Sequence, residues 1–136
     1  MAHSFSAFVQ AVMDGEVGVA SRLLTINPEF AARRFAVGAT RRDTAKFFYE
    51  DIAHYCYQGD TALHMAAAAF QRSSARLLVR KGSALDAKNR RGAEPLHYAA
   101  DANRWNPTAQ SETIRYLLSV GAKRQRERCE RCYSTP

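Results

Sequence analysis

Apolar residues recur at helical spacing from the start of the chain: Phe5, Phe8, Val9, Val12 and Met13, then, past the turn signal Asp14-Gly15, Val17, Val19, Ala20, Leu23 and Leu24. Two such stripes, the second stopping near Asn27-Pro28, predict a helix pair within residues 1–34. Ser4, Ser6, Gln10 and Glu16 are left for solvent, which suits a capping unit with a neighbour on one side only. The double stripe then returns. Leu63, Ala66 and Ala67 precede Ala75, Leu77, Leu78 and Val79, and Leu96, Ala99 and Ala100 precede Ile114, Leu117 and Leu118. The leucines point into a stack, the alanines let neighbouring helices approach closely, and Gly82 and Gly121 end the second helix of each pair.

Between the first pair and the second lie about twenty extra residues, 38–58, in which Phe47, Phe48, Tyr49, Tyr55 and Tyr57 crowd together. Thr40 and Asp43 have capping spacing, and residues 44–55 predict about three helical turns. On that helix Phe48, Ile52 and Tyr55 share a face packed back on the helix pairs, and Phe47 or Tyr49 stands near an exposed rim. The rim reads either as extra core or as part of a partner site, because aromatic residues dominate interface energetics. Glu50, Asp51 and His54 fall on one side of the same helix, the one geometry open to an acid–base or metal site.

Aligned on itself, the chain places Gly59-Asp60-Thr61-Ala62-Leu63-His64-Met65-Ala66-Ala67 over Gly92-Ala93-Glu94-Pro95-Leu96-His97-Tyr98-Ala99-Ala100 at a shift of 33. The two-leucine segments ending at Gly82 and Gly121 match at a shift of 39, so the later copy carries six extra residues around Arg104-Trp105-Asn106-Pro107. The G-x-T-P-L-H-x-A-A opening, the two-leucine segment and the closing glycine, in that order through Gly121, resemble the ankyrin-repeat family.

The resemblance implies an all-α solenoid of stacked helix-turn-helix units with protruding loops, here with one helical insertion. Its units would be the cap at 1–34, the insertion at 38–58, a repeat at 59–91 and a second at 92–122. It implies that Gly59, Thr61, Leu63, His64, Gly92, Pro95, Leu96 and His97 are structural, with each histidine tying loop backbone together at the head of a first helix. It further implies a non-catalytic scaffold without metal or cofactor, binding an unidentified protein through the concave helical face and loop tips. Phe47, Tyr49, Arg90, Arg91, Tyr98, Arg104 and Trp105 are the expected anchors. Trp105 reads equally as a cover for the insertion and as an exposed anchor.

Composition changes this picture little. The chain has 136 residues, 46% hydrophobic and 24% charged, which suits one packed domain. No apolar run approaches the roughly 20 residues of a membrane helix, and Met1-Ala2-His3-Ser4-Phe5 lacks the pattern of an export signal. With an odd cysteine count of 3, this leads us to expect a cytoplasmic protein without a disulfide framework. No phosphate-binding loop, nucleophile elbow or H-E-x-x-H zinc motif is present.

The net charge of +7 divides into +3 on residues 123–136 and +4 on the rest. Arg33-Arg34, Arg41-Arg42, Lys88 and Arg90-Arg91 are expected to form a basic edge, which makes polyanion or nucleic-acid binding the second function class.

After Gly121-Ala122 a repeat array would continue with a loop and another opening, but the chain runs on as a basic tail. Permitted codons for Arg131 to Pro136, read one base forward, spell Gly-Val-Thr-Pro-Leu, so residues 123–136 are expected to be disordered or out of frame. On that hypothesis the chain is a remnant of a longer protein without independent function, its last helices expose an apolar face prone to self-association, and Cys129-x-x-Cys132 is accidental.

Overall fold

Helices form at each of the predicted stripe pairs. The computed structural model describes residues 5–40, 47–101 and 106–122. Helices α1 (Phe5–Met13) and α2 (Val17–Ile26) make the first pair, α3 (Ala62–Ala68) and α4 (Arg72–Arg80) the second, α5 (Pro95–Ala100) and α6 (Pro107–Ser119) the third. Neighbour relations give two layers: α1, α3 and α5 lie side by side, and α2, α4 and α6 lie behind them. The core is continuous through the stack, from Phe8 and Val12 past Leu63, Met65 and Leu78 to Leu96 and Leu117.

Local chemistry sets the helix ends. Gly82 and Gly121 adopt φ of 96° and 113°, and in each case a pair of backbone bonds closes the last turn: Gly82 N–H to Val79 O and Ser83 N–H to Leu78 O, Gly121 N–H to Leu118 O and Ala122 N–H to Leu117 O. Helix α2 has no such glycine. It stops at Asn27 because Pro28 opens a single 3-10 turn, Pro28–Ala31.

Within the first unit, Phe5, Phe8, Phe30 and Phe35 form a ring cluster with centroid separations of 4.9–6.3 Å. The first unit is tied to the second by more than apolar area. Two buried hydroxyls cross the boundary: Ser74 donates to Val12 O at 2.7 Å and Ser83 to Ala31 O at 2.6 Å.

The expected helix over residues 44–55 does not form where the structure describes it. Residues 47–55 make a small antiparallel hairpin instead, with β1 (Phe48–Tyr49) and β2 (His54–Tyr55) joined by a 3-10 turn at Glu50–Ile52. Residues 41–46, including Arg41, Arg42, Asp43 and Thr44, lie outside the described residues. The hairpin continues a backbone ribbon: Phe35 N–H bonds Asp60 O, Gly59 N–H bonds Phe35 O, Ala39 N–H bonds Cys56 O and Cys56 N–H bonds Phe47 O, each at 2.8 Å.

This two-residue period sends Ile52, His54 and Cys56 inward and leaves Tyr55 and Tyr57 half-exposed. Phe48 and Tyr55 pair across the strands with rings 4.8 Å apart. Aromatic and β-branched residues favour such a ribbon once residues 34–39 supply a partner strand, which no local helix signal anticipates.

Candidate partner-binding surface

The motif residues of the two openings are built into the fold. Thr61 caps α3, and its hydroxyl accepts the His64 N–H at 3.4 Å while His64 Nδ1 accepts the Thr61 N–H at 3.1 Å. Because Nδ1 accepts, the ring proton sits on Nε2, which donates to Ala93 O of the next repeat at 2.8 Å. Burial holds the His64 pKa below its ordinary value, so the ring works as a neutral linker. His97 repeats the inner half of this arrangement, its Nδ1 accepting the Glu94 N–H at 2.9 Å, with its pKa also lowered by burial.

Leu63 and Leu96 are buried, and Pro95 opens α5, where a missing N–H costs nothing. Gly59, at φ 88°, lies against the backbone of Asn89 and Arg90, where a Cβ would come within 3.1 Å. Gly92 also takes a positive φ, 82°.

Beneath the loops lies a buried hub that the sequence did not reveal. Asp60 is fully buried and accepts from the Tyr57 N–H at 2.8 Å, Asn89 Nδ2 at 2.9 Å and the Tyr98 hydroxyl at 2.7 Å. Asn89 also accepts the Arg91 and Ala93 N–H groups through Oδ1, so one side chain shapes its own loop and fixes that loop to Asp60. Tyr98 is 5% exposed, with the His54 ring 4.3 Å away. Burial, then the Asp60 charge, pushes the Tyr98 phenol pKa up. The expectation that Tyr98 anchors a partner is therefore corrected: its ring is core and its hydroxyl is committed to Asp60.

Of the hairpin aromatics Phe48, expected to pack inward, departs from expectation: at 37% it is the exposed ring, while Phe47 and Tyr49 are half-buried and Tyr49 packs against the core. Tyr49 and Ile52 share a cleft of about 250 Å³ with Gln10 and Met13 of α1. The hairpin thus reaches from α1 to Tyr98 of α5, across the face of the first-helix layer. No helical face gathers Glu50, Asp51 and His54: Glu50 is exposed in the 3-10 turn and His54 is buried on β2.

Of the cations expected at the loop edge, Arg34, Lys88, Arg90 and Arg91 converge there, whereas Arg33 lies over the Phe5 ring at 5.4 Å from its centroid. Arg34 reaches across to Gly59 O at 3.2 Å and Lys88 O at 2.6 Å. Arg90 meets Gln58 Oε1 at 3.3 Å, and the Arg91 guanidinium lies 4.8 Å from the Tyr57 ring centroid. Two grooves of about 580 and 610 Å³ adjoin there, sharing Gln58 and Arg90. Arg91, Tyr55 and Tyr57 line the first, and Arg34 and Lys88 the second.

Arg104 and Trp105 fall outside the described residues, as do Cys129 and Cys132. On α6, Ile114, Tyr116 and Leu118 are half-buried, and Val120 just past its end is exposed, which is where the expected self-association would act. Among the described residues no helix is long and apolar enough to cross a membrane.

A search of curated proteins finds no match to the chain. The family model of ankyrin repeats, in three copies, matches residues 8–127. With three helix pairs in two layers and a Thr61–His64 capping box reaching the next unit, the chain belongs to the ankyrin-repeat family.

Proposed function

We propose that the protein is a non-catalytic interaction module, acting in the cytoplasm as a scaffold, that engages a protein partner at the edge where the Arg90-Arg91 loop meets the inserted ribbon. Ankyrin repeats are generally protein-interaction modules and typically carry no catalysis. The observation that carries the placement is the pair of adjoining grooves sharing Gln58 and Arg90, lined by Arg34, Lys88, Arg90 and Arg91. The face of the first helices is a poorer choice, because the hairpin crosses it and Met13, Met65 and Tyr98 are buried.

Such an edge binds economically: its side chains are held by backbone carbonyls and a ring before any partner arrives, so little ordering entropy remains to be lost. The test is capture of partners from cells that express the protein, comparing wild type with Arg90→Glu/Arg91→Glu and with Arg72→Glu/Arg76→Glu on the exposed side of α4. A partner lost only with the first pair is the expected result. Retention by that pair, or equal loss with both, would remove the loop edge as the site.

A further inference from the structure

The geometry points to an acidic, extended peptide segment of the partner as the occupant of the two adjoining grooves, an inference that rests on the loop-edge reading above. The first reason is charge. Arg34, Lys88, Arg90 and Arg91 line the two grooves, and no carboxylate of the described residues does. Asp60 lies behind this surface, fully buried, its oxygens spent on Tyr57, Asn89 and Tyr98.

The second reason is how the guanidinium groups are held. The Arg91 guanidinium carbon lies over Tyr57, 4.8 Å from the ring centroid, and Arg34 is pinned by the carbonyls of Gly59 and Lys88. Planar, pre-oriented guanidinium groups match carboxylates with paired hydrogen bonds. Gln58, shared by both grooves, adds an amide that can meet peptide backbone.

The third reason separates a peptide from a nucleic acid. Single strands are held by open aromatic faces on which bases stack. Here Tyr57 carries Arg91 at 4.8 Å, and Tyr55 is flanked by Phe48 at 4.8 Å and Tyr57 at 6.3 Å. These rings support the arginine and each other, so the surface offers directed donors with little open stacking area.

The test is selection from a displayed library of random dodecapeptides on the intact protein, followed by fluorescence anisotropy of the enriched peptides. Binding is measured to wild type, Arg90→Glu/Arg91→Glu, Lys88→Glu and Arg72→Glu/Arg76→Glu, with oligodeoxythymidine as competitor. The expected result is enrichment in Asp and Glu and a loss of about tenfold or more with Arg90→Glu/Arg91→Glu. Lys88→Glu should weaken binding in the same direction and stands in if the double variant does not fold, while Arg72→Glu/Arg76→Glu should match wild type.

Enriched peptides that are neutral, apolar or basic yet still depend on Arg90 and Arg91 would overturn the acidic assignment and leave the loop-edge site standing. Peptides indifferent to both loop variants would overturn both. Oligodeoxythymidine displacing the peptides at lower concentration than an acidic peptide would transfer the grooves to nucleic acid, and a library yielding no binder would also overturn the proposal.

Discussion

His64 Nε2 donates to the Ala93 carbonyl at 2.8 Å, so the ring that caps α3 also holds the next repeat in place. One fully buried side chain therefore serves two units, and its protonation state matters to both.

Acid should destabilise the fold through this ring. Burial lowers the folded pKa of His64 from its ordinary value of 6.5, and that of His97 moves the same way. The unfolded chain then binds more protons below that value, so this stability is complete above about pH 6.5 and declines as pH falls toward the lowered folded pKa. Urea titrations at pH 7.5 and 5.5 are expected to show a lower midpoint at pH 5.5, and His64→Asn should reduce the difference. Equal midpoints in the wild-type protein would contradict the neutral linker.

Removal of the Tyr98 hydroxyl isolates the buried hub. Tyr98→Phe keeps the ring against His54 but takes a donor from both Asp60 oxygens. A cost of about 1.5–3 kcal/mol is expected in chemical denaturation, as for hydrogen bonds to a charged group. A change below ~0.5 kcal/mol would mean that Asp60 is satisfied without it.

Ala53 distinguishes the hairpin from the helix that the sequence suggests. It sits at φ 51°, left-handed, as the residue that ends the 3-10 turn before β2. Ala53→Gly should leave stability unchanged or raise it by up to ~1 kcal/mol, since alanine is disfavoured in that conformation. In a helix the same change would cost about 1 kcal/mol, so the sign of the melting shift decides between them.

Gly38 lies flat on the ribbon, where a Cβ would run into the Gln58 nitrogen and the Tyr57 carbonyl carbon. Backbone cannot swing aside as a side chain can, so Gly38→Ala should separate the strands and cost about 1–3 kcal/mol. Hydrogen exchange should show early loss of protection at Ala39 and Cys56, whose N–H groups bond across the ribbon.

The paired helices were legible because their apolar stripes have a 3.6-residue period and those of α1, α2, α4 and α6 stop beside Gly15, Pro28, Gly82 and Gly121, whose backbone preferences are local; α3 and α5 end at Ala69 and Asp101 without such a signal. The ribbon was not, because Phe48, Ile52 and Tyr55 fit a helix while Ile52, His54 and Cys56 fit a strand, and the arbiter is residues 34–39, remote in sequence. The basic loop edge could be read from Arg34, Lys88, Arg90 and Arg91, but the tyrosine support of Arg91 could not. Asp60 reads as an ordinary surface charge beside a glycine, and only Asn89, 29 residues on, and Tyr98, 38 residues on, explain its burial. The burial of Tyr98 is hidden from the sequence for the same reason, since the hairpin that covers it belongs to another part of the chain.

An array of stacked repeats ordinarily gains or loses its end units piecemeal, because each touches only the next. Here the ribbon between the first and second pairs lays His54 on Tyr98 of the third and Ile52 beside Met13 of the first. The two end pairs are thereby coupled through the ribbon, and fraying of α5 and α6 takes from it the Tyr98 ring on which His54 rests. Unfolding should then be a single concerted transition whose denaturant slope reflects the whole surface of the stack, and deletion of the last pair should weaken the first.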